Sequence, residues 1–316
     1  MIFLYFFILM LSFAGIYWSA EHMLNGAIET AHKHNISLVV IGVVVVGFGT
    51  SAPEILVSAL GAASGSSDIA LGNLLGSNFT NIALVMGTTA MLSVIVCSRT
   101  IVYYYLTAVF SLAVVGLFLW LRETLTVIDG LIMLGILIFC LFIMIRIAWQ
   151  SDGVHGDEVI ETQKGQHCLL KLFGGLIALL AVSELTVWSS IRIATLLNID
   201  DLIIALTIVA VGTSLPELLA SVLSALRRQH SIAVGNLIGS NIFNSVGGVG
   251  FSALVAPLTV SPAIVDRDFI VVFSLTLLFG ILMFLPRRLH IGRLKGMVLL
   301  LCFVSYLGLL YSSAKA

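Results

Sequence analysis

Two stretches of this sequence set the same side chains in the same order: Gly49-Thr-Ser-Ala-Pro-Glu54 and Gly212-Thr-Ser-Leu-Pro-Glu217. Each combines hydroxyls, a carboxylate and a proline that has no backbone N–H to donate. Each is followed by a second polar run, Gly72-Asn-Leu-Leu-Gly-Ser77-Asn-Phe-Thr-Asn81 and Gly235-Asn-Leu-Ile-Gly-Ser240-Asn-Ile-Phe-Asn244. Ser77 and Asn81 stand four apart, as do Ser240 and Asn244 and also Thr50 and Glu54, so each pair shares a helix face. Such oxygen-only sets suit hard cations like Na⁺ or Ca²⁺ rather than soft metals. Both glutamates sit in apolar stretches, where a carboxylate costs about 2.5–3.5 kcal/mol at the centre of a membrane helix. One in each motif, behind the same helix-breaking residue, points to a two-fold cation site.

Proline disfavours helical geometry in the residue before it, so the helix is expected to break at each motif, with a second half-helix beginning at Ser51 and at Ser214. Freed carbonyls there would join the oxygen lining, since exposed backbone at membrane depth must line a cavity or be buried in protein. A plainer role stands beside this one. Ser51-x-x-Glu54 and Ser214-x-x-Glu217 both fit a capping box, and a glutamate can cap in one state and bind an ion in another. Asn73, Asn78, Asn236 and Asn241 read as ligands or as hydrogen bonds between helices.

The elements that must hold these residues are themselves repeated. Residues 49–87 and 212–250 match at 19 of 39 positions without a gap, at an offset of 163, which chance does not sustain over such a span. Glu21 falls on Glu184 in the same register. The chain is two copies of one unit. Of its 316 residues, 59% are hydrophobic and 10% charged, against about 25% charged in a soluble domain, and the mean hydropathy is +1.14. Ten apolar stretches, near 1–29, 38–64, 69–97, 102–121, 128–149, 169–196, 202–226, 231–257, 269–285 and 296–313, are each long enough to cross about 30 Å of hydrocarbon. The first lacks a basic leader and reads as a retained span rather than a signal peptide. The fold expected is an all-α integral membrane protein. It has ten transmembrane helices in two inverted five-helix repeats, with broken helices at the midplane. Residues 1–149 form the first repeat, 150–168 a cytoplasmic linker and 169–316 the second.

Alternating loops put 11 of the 15 basic residues on one side of the membrane, which is then cytoplasmic. Both termini face outward. Five spans per copy invert the second copy, and matched loops agree: Gly65-Ser-Ser-Asp68 corresponds to the basic turn Arg228-Gln-His-Ser231. Inverted repeats with interrupted helices are the pattern of secondary transporters.

Other chemistry finds little support. Cys97, Cys140, Cys168 and Cys302 have no metal or disulfide spacing, and the seven histidines have none either. Gly47-Phe-Gly49-Thr-Ser-Ala52 lacks the βαβ setting of a dinucleotide fingerprint. An intramembrane hydrolase would need a His or Lys base beside Ser51 or Ser214, and neither motif has one. A passive channel would lack coupled, saturable flux. The reading is not an enzyme: no cofactor, no nucleic acid and no obligate protein partner are expected, only ions and the lipid bilayer.

The paired GTSxPE and GNxxGSNxxN motifs resemble the α-repeats of the cation/Ca²⁺ exchanger superfamily, specifically the prokaryotic Na⁺/Ca²⁺ exchangers, and the resemblance spans essentially the whole chain. It implies an antiporter of the prokaryotic inner membrane that exchanges Na⁺ for Ca²⁺ by alternating access and moves net charge, with four central sites shared by three Na⁺ and one Ca²⁺. Carried over, Glu54 and Glu217 bridge the Ca²⁺ and Na⁺ sites. Thr50, Ser51, Ser77, Thr213, Ser214 and Ser240 give oxygens to Na⁺, with backbone carbonyls near Gly47 and Ala210. Asn81 and Asn244 complete the ring. Some relatives have aspartate at the position of Asn244, which keeps an H⁺-coupled or K⁺-dependent exchanger as the alternative. The resemblance also implies that the first and sixth spans, which carry Glu21 and Glu184, slide against the other spans; snorkelling near a helix end is the plainer account of those two glutamates.

The charge pattern makes one directly testable statement. A cysteine placed at Ser151 in the linker should resist a membrane-impermeant maleimide added to intact cells, and one placed near Ala316 should react; the opposite result would reverse the topology.

Overall fold

The computed structural model describes residues 2–97, 99–150, 167–197, 210–285 and 289–315. Nine helices among these residues are long and apolar enough to cross a membrane, and with the shorter α7 they make ten. They are α1 (Ile2–His34), α2 (Leu38–Ala63), α3 (Ser67–Leu92), α4 (Arg99–Leu121), α5 (Val127–Gln150), α6 (Cys168–Leu196), α7 (described over Ala210–Thr213 and Leu215–Leu226), α8 (His230–Val255), α9 (Ile264–Phe284) and α10 (Arg293–Lys315). The linker residues 151–166 lie outside the described residues.

The inversion of the two copies is visible in the turns. Gly65 between α2 and α3 has φ +77°, and Arg228, its repeat equivalent between α7 and α8, has φ +59°. The same left-handed turn is thus made once with the residue that favours it and once with one that does not. Near Gly65, Ser67 Oγ accepts a hydrogen bond from Thr259 N at 3.0 Å; near Arg228, Ser93 Oγ donates to Ala225 O at 3.1 Å. Two-residue antiparallel ladders mark these same ends. Strand β1 (Ile95–Val96) pairs with β4 (His290–Ile291), and β2 (Thr124–Leu125) with β3 (Leu258–Thr259). The full length of α4 separates β1 from β2, so the ladders, and the equivalent turns beside them, lie at opposite ends of the molecule. Each ladder joins one copy to the other.

Packing divides the helices into a bundle and a flank. Helices α3, α4, α5, α8, α9 and α10 share one apolar core, with Leu74, Tyr104, Met133, Ile242, Phe279 and Leu299 among its buried side chains. Helix α8 runs through its centre and is buried from His230 to Gly250. Helices α1 and α6 pack against each other through a separate cluster that includes Met23, Leu24, Leu172 and Leu176, with α2 beneath. The α1/α6 crossing is backbone on backbone: a Cβ on Gly26 would stand 2.2 Å from Leu172 N, and one on Gly175 2.4 Å from Met23 N. Lys171 on α6 also donates to Glu29 Oε1 on α1 at 2.6 Å. Glu21 is paired with Arg227 at the end of α7, beside Asn25, whereas its equivalent Glu184 is exposed. Phe3, Trp120, Ile138 and Leu170 are among many large apolar side chains facing outward, as a lipid-bathed surface requires.

The interruptions expected in the helices take a particular form. In the first copy the helix does not restart at Ser51: it continues from Phe48 to Ala63 with Pro53 inside it. The widening comes just before, where Ile41–Gly47 is π-helical, and again in α3 over Asn81–Met86 and in α8 over Phe243–Gly248. A π-turn shifts the hydrogen bonding to i→i+5 and so re-aims carbonyls without ending the helix. In the second copy a turn at Ser214 does separate Ala210–Thr213 from Leu215–Leu226, with Pro216 in the first turn and no side-chain cap bond from Ser214.

Close approach of α2 and α8 depends on glycine. A Cβ on Gly239 would stand 2.4 Å from the Val43 carbonyl oxygen, and one on Gly47 2.9 Å from Ser240 N. Because the obstacle is backbone, Gly239→Ala should lower stability by about 1–3 kcal/mol, read as a reduced melting temperature in detergent. Gly308→Ala, at a position with nothing within 4 Å among the described residues, should leave it unchanged or raise it.

Candidate functional site

The two motifs meet where α2, α3, α7 and α8 cross. Thr50 Oγ1 on α2 lies 3.2 Å from Asn236 Oδ1 and 3.4 Å from Ser240 Oγ on α8, and within 3.5 Å of Gly47 O. Ser240 Oγ in turn reaches Gly47 O at 3.3 Å. Ser51 Oγ points across to Glu217 Oε1 on α7 at 3.5 Å. Side chains 160 to 190 positions apart in the chain thus share one polar centre. Glu54 is 2% exposed and Glu217 1%.

Asparagines brace this centre, and they do so twice over. Asn73 Nδ2 donates to Glu54 O at 3.0 Å and to Ser58 Oγ at 2.9 Å. Asn236 Nδ2 donates to Glu217 O at 3.2 Å and to Ser221 Oγ at 2.9 Å. The same pair of bonds, in equivalent positions, fixes the backbone of each glutamate to the neighbouring helix. Asn78 and Asn241 act between α3 and α8: Asn78 Nδ2 donates to Ser245 Oγ at 2.8 Å, and Asn81 Nδ2 to Asn241 Oδ1 at 3.2 Å. All four asparagines left open by the sequence as ligands or helix–helix links therefore make helix–helix bonds.

What this bracing leaves unpaired is informative. Among the described residues, both carboxylate oxygens of Glu54, Oε2 of Glu217, Oδ1 of Asn81 and both polar atoms of Asn244 are buried without a hydrogen-bond partner. Buried polar atoms are nearly always satisfied, and an unpaired buried carboxylate is far costlier than a neutral group. A cluster of orphaned oxygens has the donor chemistry that a hard cation needs.

The remaining expected ligands lie on the edge of this centre. Ser77, Thr213 and Ser214 line a cavity of about 180 Å³, with Asn73 on one wall and Phe303, Tyr306, Leu307 and Leu310 of α10 on another. Ala210 opens the short helical piece that ends just before Ser214. The α10 wall escaped the sequence reading, because Tyr306 belongs to no repeated motif. Its ring packs on Phe79 at 4.4 Å, and its hydroxyl donates to Asp268 Oδ1 at 2.9 Å. Ser58 and Ser221 also escaped, although both are identical positions in the gapless repeat and could have been found there.

Known proteins agree with this geometry. A family model described as sodium/calcium exchanger protein matches residues 4–146 and 167–312. A relative named CaxA from Alkalimonas amylolytica is 36% identical over 305 residues, covering 94% of this chain and 95% of that protein. The sodium/calcium exchanger MaX1 of Methanosarcina acetivorans is 30% identical across 97% of this chain and 98% of its own length. A solved structure of the sodium-calcium exchanger NCX_Mj superposes with a TM-score of 0.84 at 29% identity, covering 98% of this chain and all of that one. Ten helices in inverted repeats, a polar centre built from both copies and matches along the whole length converge: this chain is a membrane cation/Ca²⁺ exchanger belonging to the sodium/calcium exchanger family.

Proposed function

We propose that this protein exchanges Na⁺ for Ca²⁺ by alternating access at the centre bounded by Glu54 and Glu217. The observation that carries the reading is the set of orphaned oxygens, contributed by both copies and buried from water. Two glutamates balance the two charges of one Ca²⁺. Three Na⁺ would bring one charge more, so exchange would move net charge and respond to voltage.

The ligands divide into two sets related by the repeat. Gly47 O, Thr50, Ser51, Ser240 and Glu217 form one, drawn together by their mutual bonds. Ala210 O, Thr213, Ser214, Ser77 and Glu54 form the other, of which Thr213, Ser214 and Ser77 line the cavity. Asn81 and Asn244 stand between them. In this conformation the cavity serves as the path for ions on the side of the α10 C-terminus, which the loop charges make the outside. The copies are residues 1–149 and 169–316, joined through 150–168 in the cytoplasm, with both termini outside an inner membrane. Neutral Asn244, where a carboxylate would add charge, keeps one second reading in view, coupling to H⁺ or K⁺.

Proteoliposomes loaded with Na⁺ and diluted into Na⁺-free medium should take up ⁴⁵Ca²⁺, and K⁺-loaded vesicles should not. Uptake driven equally by a pH gradient, or requiring K⁺ in addition, would replace the Na⁺ reading with its alternative. Glu54→Gln and Glu217→Gln should each abolish uptake while the protein still elutes as a folded species, because each change removes charge with little change of volume. Normal exchange by either variant would remove both glutamates from the site.

A further inference from the structure

The two copies differ in their asparagine bonds beside a position where their sequences also differ. Asn81 on α3 donates to Asn241 on α8. Repeat symmetry maps this pair onto Asn244 and Asn78. That second bond, from Asn244 Nδ2 to Asn78 Oδ1, is not made: Asn78 Nδ2 donates to Ser245 Oγ at 2.8 Å, and Asn78 Oδ1 and Asn244 Nδ2 are both left unpaired. The residue equivalent to Ser245 in the first copy is Ile82, which has no hydroxyl. Asn78, Asn81, Asn244 and Ser245 are all buried, at 1%, 1%, 0% and 2% exposure, so each hydrogen bond is a choice among few partners. The outcome is that Asn81 has its amide clamped while both polar atoms of Asn244 are free.

Resting on the cation-exchange reading above, we propose that Ser245 is a positioning residue for that centre: by holding Asn78 through its Nδ2, it fixes that amide with its Oδ1 out of reach of Asn244 and so keeps the Asn244 amide unclamped. An amide offers an acceptor oxygen and two N–H donors on one rotatable group. A clamped Asn81 can only present its oxygen. Asn244 can turn its oxygen to a cation or its N–H groups to a neighbouring carboxylate, and so serves the loaded and unloaded centre alike. A single hydroxyl, present in one copy and absent from the other, thereby makes two equivalent asparagines unequal ligands.

The test is a mutant cycle read by equilibrium ⁴⁵Ca²⁺ binding, and its displacement by Na⁺, on detergent-purified protein. Ser245→Ala should release Asn78 to pair with Asn244 and weaken apparent Ca²⁺ affinity by about fivefold, the scale of one hydrogen bond; Ser245→Thr, which keeps the hydroxyl, should stay near the parent. Asn78→Ala in the Ser245→Ala background removes the competing amide and should restore affinity to about that of Asn78→Ala alone, a non-additivity that a merely structural role would not produce. Unchanged affinity in Ser245→Ala, or a loss that persists in the double variant, overturns the proposal. Should Ser245→Ala not fold, Ile82→Thr probes the same rule from the other copy: the new hydroxyl should draw Asn241 from Asn81 and shift affinity, and no shift overturns the proposal. Saturable binding without Na⁺-driven exchange would remove the coupling reading and leave this inference to the variants, whereas no binding of either ion to the parent overturns both.

Discussion

Two carboxylates buried without a protein cation set the terms for this fold. Nothing in the apolar core could neutralise Glu54 or Glu217, and no Lys or Arg is brought to them among the described residues. The protein therefore surrounds them with dipoles instead of charges. Hydroxyls come from α2 and α8, asparagines fasten each glutamate's own backbone, and π-turns re-aim carbonyls in three of the four central helices. A full counter-charge would stabilise the empty state and oppose the binding of a cation. Partial charges leave the attraction for a cation in place.

Glycine is what lets the helices come close enough for this arrangement. Thr50 reaches Asn236 and Ser240 only because α2 and α8 touch backbone to backbone near Gly47 and Gly239. Small residues in membrane helices are usually read as packing. Here packing and the geometry of the polar centre are one requirement, since a helix pushed outward by a single methyl group would carry its hydroxyls away with it.

The sequence made the architecture legible for a physical reason. Membrane helices announce themselves by length and hydropathy, and a duplicated motif at constant offset needs no alignment to detect. The glutamates and hydroxyls were readable because polar groups are costly in that setting. The local backbone was not. Pro53 argues for a helix restart at Ser51, yet tertiary packing keeps α2 continuous and places the irregularity a turn earlier, in Ile41–Gly47. No residue type specifies a π-turn as proline specifies a lost donor. Partner choice among asparagines was equally hidden, because Asn78 and Asn81 look alike in sequence and only the neighbouring Ser245 and Asn241 tell them apart. Tyr306 was invisible for the opposite reason: it stands outside the repeated motifs, in a helix that reads as plain apolar filler.

The paired strands at the two ends of the molecule bear on how such a machine could move. Each ladder stitches a loop of one copy to a loop of the other, and the two stitches sit at opposite poles. Helices α3, α4, α5, α8, α9 and α10 flank these stitches and share one core, so shear between the copies would have to break both ladders. Helices α1 and α6 enter neither ladder and hold each other through their own seam. A displacement of this pair past the other helices would undo neither ladder, so the way the two halves are sewn together decides which helices are tied to one another and which are not.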